Sequence, residues 1–327
     1  MSFQPLPWHD ELWQMMMASA RQGALAHAFL LKGVSGVGKL HFAKAFAGML
    51  LCEANGNEPC QRCKGCSLIQ AGNHPDLLVV EPEETGRPIK IGQVRALNDF
   101  AQKTAQQGGR RIIIINPAEA MNINASNALL KSLEEPGAET LFLLVSHRAA
   151  DMLPTIRSRC QVLSFATPGK EQALSWLMDK LDDSRDAGLL LNLASGSPLL
   201  AYAFFGQGTL KLRRDLIDSV GALFKGELTP VEVAKEWQGR DYVQILEWLA
   251  SWLEDSVKFK LSGEDGVIKN DDLIKLIGYL AGKSDIRQLI ELRDLLVAQR
   301  QILLSGGNLN TLLVLEGVFC RYLGLVL

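Results

Sequence analysis

With 327 residues, 47% of them apolar, the chain has material for two or three domains and needs no disulfide to hold a core. Its net charge of −2 excludes an overall positive field, so any nucleic-acid contact must rest on a local basic patch or on partner chains. Apolar runs such as Leu141 to Val145 fall far short of the roughly 18 residues of a membrane helix, and Asp10 and Glu11 stand where a secretory signal would be basic; no membrane contact and a cytoplasmic location are expected.

From residue 28 to about 165, short apolar runs alternate with helical stretches, the pattern of a parallel sheet covered on both faces. Five strands are predicted, at Ala28 to Leu31, Leu77 to Val80, Ile112 to Ile115, Leu141 to Val145 and Gln161 to Phe165. The unbroken isoleucine run has no period-two alternation, which predicts burial on both faces and a place in the middle of the sheet. Beyond Thr167-Pro168-Gly169 the strand signals stop, and short helices run to about residue 207, punctuated by Gly196-Ser197-Pro198. From 208 onward apolar residues recur at helical spacing (Tyr242, Ile245, Leu249 and Trp252; Ile286, Leu289, Ile290, Leu296 and Val297), predicting an all-α bundle. The expected domains are therefore 1–166 (α/β), 167–207 (small, helical) and 208–327 (all-α).

Gly33-Val34-Ser35-Gly36-Val37-Gly38-Lys39-Leu40 follows the first strand and opens a helix, the setting of a phosphate-binding loop. Gly33, Gly36 and Gly38 would let backbone amides turn toward phosphate oxygens, and Lys39 would add a point charge. The next position normally carries a hydroxyl for Mg²⁺, and Leu40 has no oxygen to give. An acidic pair usually ends a buried strand of such a site, yet here the strand ends in Asn116-Pro117, which supplies neither a charge nor a base. Glu119 reads as an ordinary surface glutamate. These losses predict at most weak ATP binding without turnover, and the loop is equally well explained as a turn kept for packing.

Cys52, Cys60, Cys63 and Cys66 offer four soft thiolates within a short insertion after the first helix of the α/β domain, and tetrahedral Zn²⁺ is the natural occupant. The Cys60-x2-Cys63-x2-Cys66 spacing also opens an iron–sulfur run, although no Cys-Pro follows three residues later. Four cysteines close the coordination shell, so the metal would be structural. Arg62, Lys64 and His74 read as solvated neighbours.

The stretch Asn127-Ala128-Leu129-Leu130-Lys131-Ser132-Leu133-Glu134-Glu135-Pro136 is similar to a helix of clamp-loader AAA+ subunits, and Ser158-Arg159-Cys160 is similar to that family's motif. The chain thus resembles bacterial DNA polymerase III clamp-loader subunits of the AAA+ family, most strongly over 28–165 and only in architecture after about 208. The resemblance implies a P-loop AAA+ domain, a helical lid and an oligomerising collar. It also implies that Arg159 reaches into a neighbouring subunit's ATP site; the other reading of Arg159 is an arginine paired with a nearby carboxylate at the sheet edge, and Arg157 reads as structural. The family's second sensor arginine is replaced by Leu199, whereas Ser146 keeps a hydroxyl at the first sensor position. These departures point to the family's non-catalytic stator branch, one subunit in a pentamer with gamma/tau and delta subunits. That assembly, part of a DNA-directed DNA polymerase holoenzyme, loads the sliding clamp onto primer-template DNA. Two other readings are an ATP-hydrolysing gamma/tau-type motor, and a zinc-dependent DNA-binding module relying on Arg110 and Arg111.

Overall fold

The structure is a computed structural model that describes residues 4–54, 56–84, 86–107, 109–263, 268–304 and 309–327. The chain divides into two compact units, residues 1–179 with 196–200, and residues 180–195 with 201–327.

The first unit is built on five parallel strands: β1 (Ala28–Lys32), β2 (Leu77–Val80), β3 (Arg111–Ile115), β4 (Thr140–Ser146) and β5 (Gln161–Ser164). They lie in the order β2-β3-β4-β1-β5. All five stand where the sequence predicts strands. The isoleucine run of β3 is fully buried, but it is an interior strand between β2 and β4 and not the middle one, which is β4. Burial on both faces requires only neighbours on either side, so an apolar run cannot say how many strands lie beyond them.

The run divides by strand period. Ile112 and Ile114 join the face that holds Trp13, Phe42 and Phe46 of helices α1 (Asp10–Arg21) and α2 (Lys39–Leu50), together with Leu141, Leu143 and Val145. Ile113 and Ile115 join the opposite face. There they meet Val94 and Leu97 of α4 (Ile91–Ala101) and Leu129 and Leu133 of α5 (Ile123–Glu134), with α3 (Lys64–Gln70) lying earlier in the chain. Each such isoleucine contributes about 1.5–3 kcal/mol. Because the strands are parallel, loops that follow them gather at one edge of the sheet and segments that precede them at the other. The phosphate loop follows β1, and β1 pairs with β5 in the register Phe29↔Gln161 to Lys32↔Ser164. The short helix α6 (Pro154–Arg157) and Arg159 precede β5, so they belong to the opposite edge. Helix α7 (Lys170–Met178) completes this unit's own helices.

The second unit is helical. It contains α8 (Ala187–Leu193), most of α9 (Pro198–Gly206), α10 (Thr209–Lys225), α11 (Pro230–Glu236), α12 (Tyr242–Ser262), α13 (Ile274–Lys283), α14 (Ile286–Leu304) and α15 (Thr311–Gly324). Ile245, Leu249 and Trp252 of the predicted α12 stripe join Leu289 and Leu296 of α14 in the core, whereas Val297 remains exposed. A buried polar network ties the core's edge: the Arg213 guanidinium donates to Asn270 and pairs with Asp272, and Asp255 accepts from the backbone and side chain of Asn270. These partners compensate its charge at the cost of desolvation, while its Nε–H is buried and meets no acceptor among the described residues. Among the described residues, no single helix is long and apolar enough to cross a membrane.

Candidate functional site

At the C-terminal edge of the sheet the phosphate loop is closed by its own chain. Gly36 and Gly38 have φ of 79° and 95°, a region that favours glycine. A Cβ at Gly36 would lie 2.4 Å from Leu200 Cβ and 2.7 Å from the Leu200 backbone nitrogen, and one at Gly38 would lie 2.5 Å from Leu6. The loop's carbonyls are occupied in turn. Lys39 Nζ donates to Gly33 and Val34 at 2.6 Å each, Leu199 N donates to Gly36 at 3.1 Å, and Trp8 Nε1 donates to Val37 at 2.9 Å. His9 Nε2 also meets the Val37 carbonyl, at 2.8 Å. Lys39 is buried, and that desolvation brings its ammonium down to about 8 while Glu119 works in the opposite direction. Leu199 therefore supplies a backbone donor and an apolar neighbour to the loop. Nothing in the sequence signalled that Leu6, Trp8 and His9 fold over these glycines.

Glu119 is not the surface residue expected. The short turn after β3 carries it back toward the end of β4, where its carboxylate accepts from the backbone amides of His147 (2.9 Å) and Arg148 (3.1 Å). Asn116 donates to Glu81 at 2.7 Å. Asn116 Oδ1, the second carboxylate oxygen of Glu119, Ser146 Oγ and His147 Nδ1 are buried and have no hydrogen-bond partner among the described residues. Burial, then the Lys39 charge, lowers the His147 pKa. These groups sit where strands β3 and β4 end, the position at which parallel α/β sheets place ligands, and Leu40 is half-buried against the core.

At the opposite edge, Arg159 donates through Nη1 to the Thr155 carbonyl at 2.8 Å and pairs through Nη2 with Glu134 at 2.5 Å. Its side chain is 34% exposed. A guanidinium has five N–H donors, so three remain, and these meet no acceptor among the described residues. Arg157, expected to be structural, is exposed, and its side chain has no hydrogen bond or ion pair among the described residues. The Cys160 thiol is buried, which pushes it up to about 12 and makes it a poor nucleophile. Arg111 is 2% exposed, with its guanidinium spent on the Phe100 and Thr104 carbonyls and near Asp76, and Arg110 is paired with Glu139. Arg111 is thus closed to a DNA-reading role, whereas Arg110 sits in a partly exposed ion pair.

Cys52, Cys60, Cys63 and Cys66 come together, their four Sγ atoms all within 4.8 Å of one another. The pairs Cys52–Cys63 and Cys60–Cys66 each stand at 4.0 Å. Four thiolates about 2.3 Å from one tetrahedral Zn²⁺ would be about 3.8 Å apart. The set thus fits a single ion, whereas a multi-iron cluster between the same sulfurs would spread them further. Backbone N–H groups of Cys60, Cys63 and Cys66 point at the sulfurs of Cys52, Cys60 and Cys63 at 3.3 to 3.4 Å, the donors a thiolate set requires. Those of Arg62 and Cys63 hold the Cys60 thiol down to about 6. His74 is not solvated as expected: it is 5% exposed, and its Nδ1 accepts from Asp76 N. Its ring faces the insertion, since a Cβ on Gly65 would lie 3.7 Å from its Nε2. A His-Pro pair in a polar stretch gives no hint of that burial.

The family described as "DNA polymerase III, delta subunit" matches residues 8–169, and its C-terminal counterpart matches 207–322. The DNA polymerase III subunit delta-prime of Pseudomonas aeruginosa is 39% identical over 98% of this chain and 97% of its own length. Those of Haemophilus influenzae (31%, covering 95% of both chains) and Escherichia coli (30%, covering 96% of this chain and 94% of its own) are similar end to end. With both halves matched and identity of this order along the whole length, the chain belongs to the DNA polymerase III delta-prime subunit family, the clamp-loader kinship that its motifs implied.

Proposed function

We propose that this chain is the stator of a clamp loader: it hydrolyses no ATP itself and lends Arg159 to the ATP site of an adjacent gamma/tau-type subunit. One observation carries the reading. Arg159 precedes β5 while Lys39 follows β1, and the two strands pair in parallel register. The four residues of β5 alone separate the two edges by roughly 13 Å. Arg159 therefore cannot serve its own phosphate loop, yet it keeps three donors for an anion brought by another chain. A planar, permanently charged guanidinium suits charge developing on a transferring phosphoryl group. Meanwhile Leu40, Asn116 and Pro117 give the chain's own loop no hydroxyl or carboxylate, and Lys39 is engaged by its backbone. Glu119, the acid nearest to a rescue of the motor reading, is engaged by the His147 and Arg148 amides.

In this account residues 1–166 serve as the AAA+ domain, 167–207 as the lid and 208–327 as the collar. The collar joins a cytoplasmic pentamer with gamma/tau and delta subunits that opens the sliding clamp and sets it on primer-template DNA. Structural Zn²⁺ held by Cys52, Cys60, Cys63 and Cys66 would staple the insertion and leave no position for water. The test uses a reconstituted loader in which only the motor site facing this chain can hydrolyse ATP, the other motors being disabled in their own loops. Arg159→Ala is expected to slow that site by on the order of 10³, and an unchanged rate in an intact assembly rejects the proposal.

A further inference from the structure

We infer that Glu134 is a positioning residue for Arg159: its carboxylate fixes the guanidinium at the sheet's edge, so that the three uncommitted donors are presented together. This rests on the trans-acting reading of Arg159 for its consequence, though not for its geometry. The guanidinium is held by acceptors from two different elements, the Thr155 carbonyl of α6 and the Glu134 carboxylate of α5. Glu134 is the last residue of α5, where the helix's free carbonyls already carry partial negative charge and an acid is disfavoured. Helix chemistry therefore gives no reason for a carboxylate there, and Arg159 does. With side chains 34% and 50% exposed, the pair is screened by water and adds little to the stability of the fold. What it changes is freedom. An arginine side chain left alone samples many rotamers, and one held at two of its five donors samples few. Fixing it before the nucleotide arrives removes that ordering from the reaction barrier.

The pairing also defines what the phosphoryl oxygen meets. Glu134 partly neutralises the cation, so the oxygen encounters N–H donors in a set plane more than a bare charge. Glu134→Gln keeps an acceptor and loses the charge, whereas Glu134→Ala loses both.

The experiment has two arms. In the free chain, the Arg159 Nε–Hε NMR signal, assigned by its loss in Arg159→Lys, is expected to report an ordered side chain in the wild type. It should become mobile in Glu134→Ala and intermediate in Glu134→Gln, with the melting temperature unchanged. In the loader limited to the facing motor site, Glu134→Ala is expected to lower kcat about three- to tenfold at constant KM for ATP, with no further loss when added to Arg159→Ala. An Arg159 signal equally ordered in Glu134→Ala overturns the inference, and so does a rate that rises, since the pair would then be a lock. If Glu134→Ala frees Arg159 while neither variant alters the facing site, the positioning stands and the trans-acting reading falls.

Discussion

The two edges of one sheet treat their cations in opposite ways. Lys39, at the C-terminal edge, is buried and bound to the carbonyls of its own loop, whose Gly38 lies against Leu6, His9 and Leu199. Arg159, at the N-terminal edge, is half-exposed, anchored through two donors and open through three. The sheet is common to both, so the difference lies in what the flanking segments supply. A fold can thus close one charged site with a handful of apolar and glycine contacts while keeping another available for a partner. Glycine has a double meaning in that arrangement. The residues that would admit a phosphate are here the ones that let Leu200 and Leu6 approach the backbone.

The largest effect that could break this contrast is the loss of order 10³ at the facing motor site on Arg159→Ala, set against less than about twofold for Arg157→Ala. Next in size is the loss of any ion held by the four thiols. A strong chelator, or Cys63→Ser, is expected to abolish protection from hydrogen exchange across residues 51–74, because the polar insertion has little core of its own. The segment 134–164 should remain protected, since the arginine edge does not depend on the insertion, and equal loss at both edges would break the separation. Gly36→Ala is expected to destabilise the chain by about 1–3 kcal/mol, measured by urea unfolding, because it combines positive φ with a clash on Leu200 backbone. A neutral outcome would mean that the loop is not closed as described.

A smaller effect concerns pH. Burial lowers His9 to about 4 from its ordinary 6.5, partly opposed by its bond to Val37. The unfolded chain then binds more protons than the folded one between those values, so this contribution to stability is lost as pH falls from about 6.5 toward 4. His9→Gln should flatten that part of the stability profile, and an unchanged slope would show that the ring is not shut against the loop. Smallest of all, Lys39→Met should alter the loader's rate by less than about twofold, in contrast to the lysine of a working phosphate loop.

Much of this was legible beforehand because it is carried by local chemistry. Strand positions follow from apolar runs bounded by turns, and the thiol cluster follows from cysteine spacing. That Leu40, Asn116 and Pro117 offer no hydroxyl or carboxylate is a matter of residue type alone. What escaped are contacts between residues far apart in sequence: Trp8 and His9 on Val37, Glu119 on the amides after β4, and His74 turned into the fold beside Gly65, whereas a carboxylate partner for Arg159 is foreseeable without its identity, Glu134. Each involves a polar residue whose neighbours in the chain describe a surface or a loop. Only the register of the sheet and the return of distant segments decide that it is buried or paired. The place of β3 in the sheet escaped for the same reason, since strand order is a property of connections and not of composition.

The most direct test of the account is hydrolysis of ATP with Mg²⁺ by the purified chain without partners. The account predicts no phosphate release above the blank, from the wild type and from Lys39→Ala alike. Turnover by the wild type that disappears in Lys39→Ala would contradict it, because the loop would then be doing for itself what is here assigned to a neighbour.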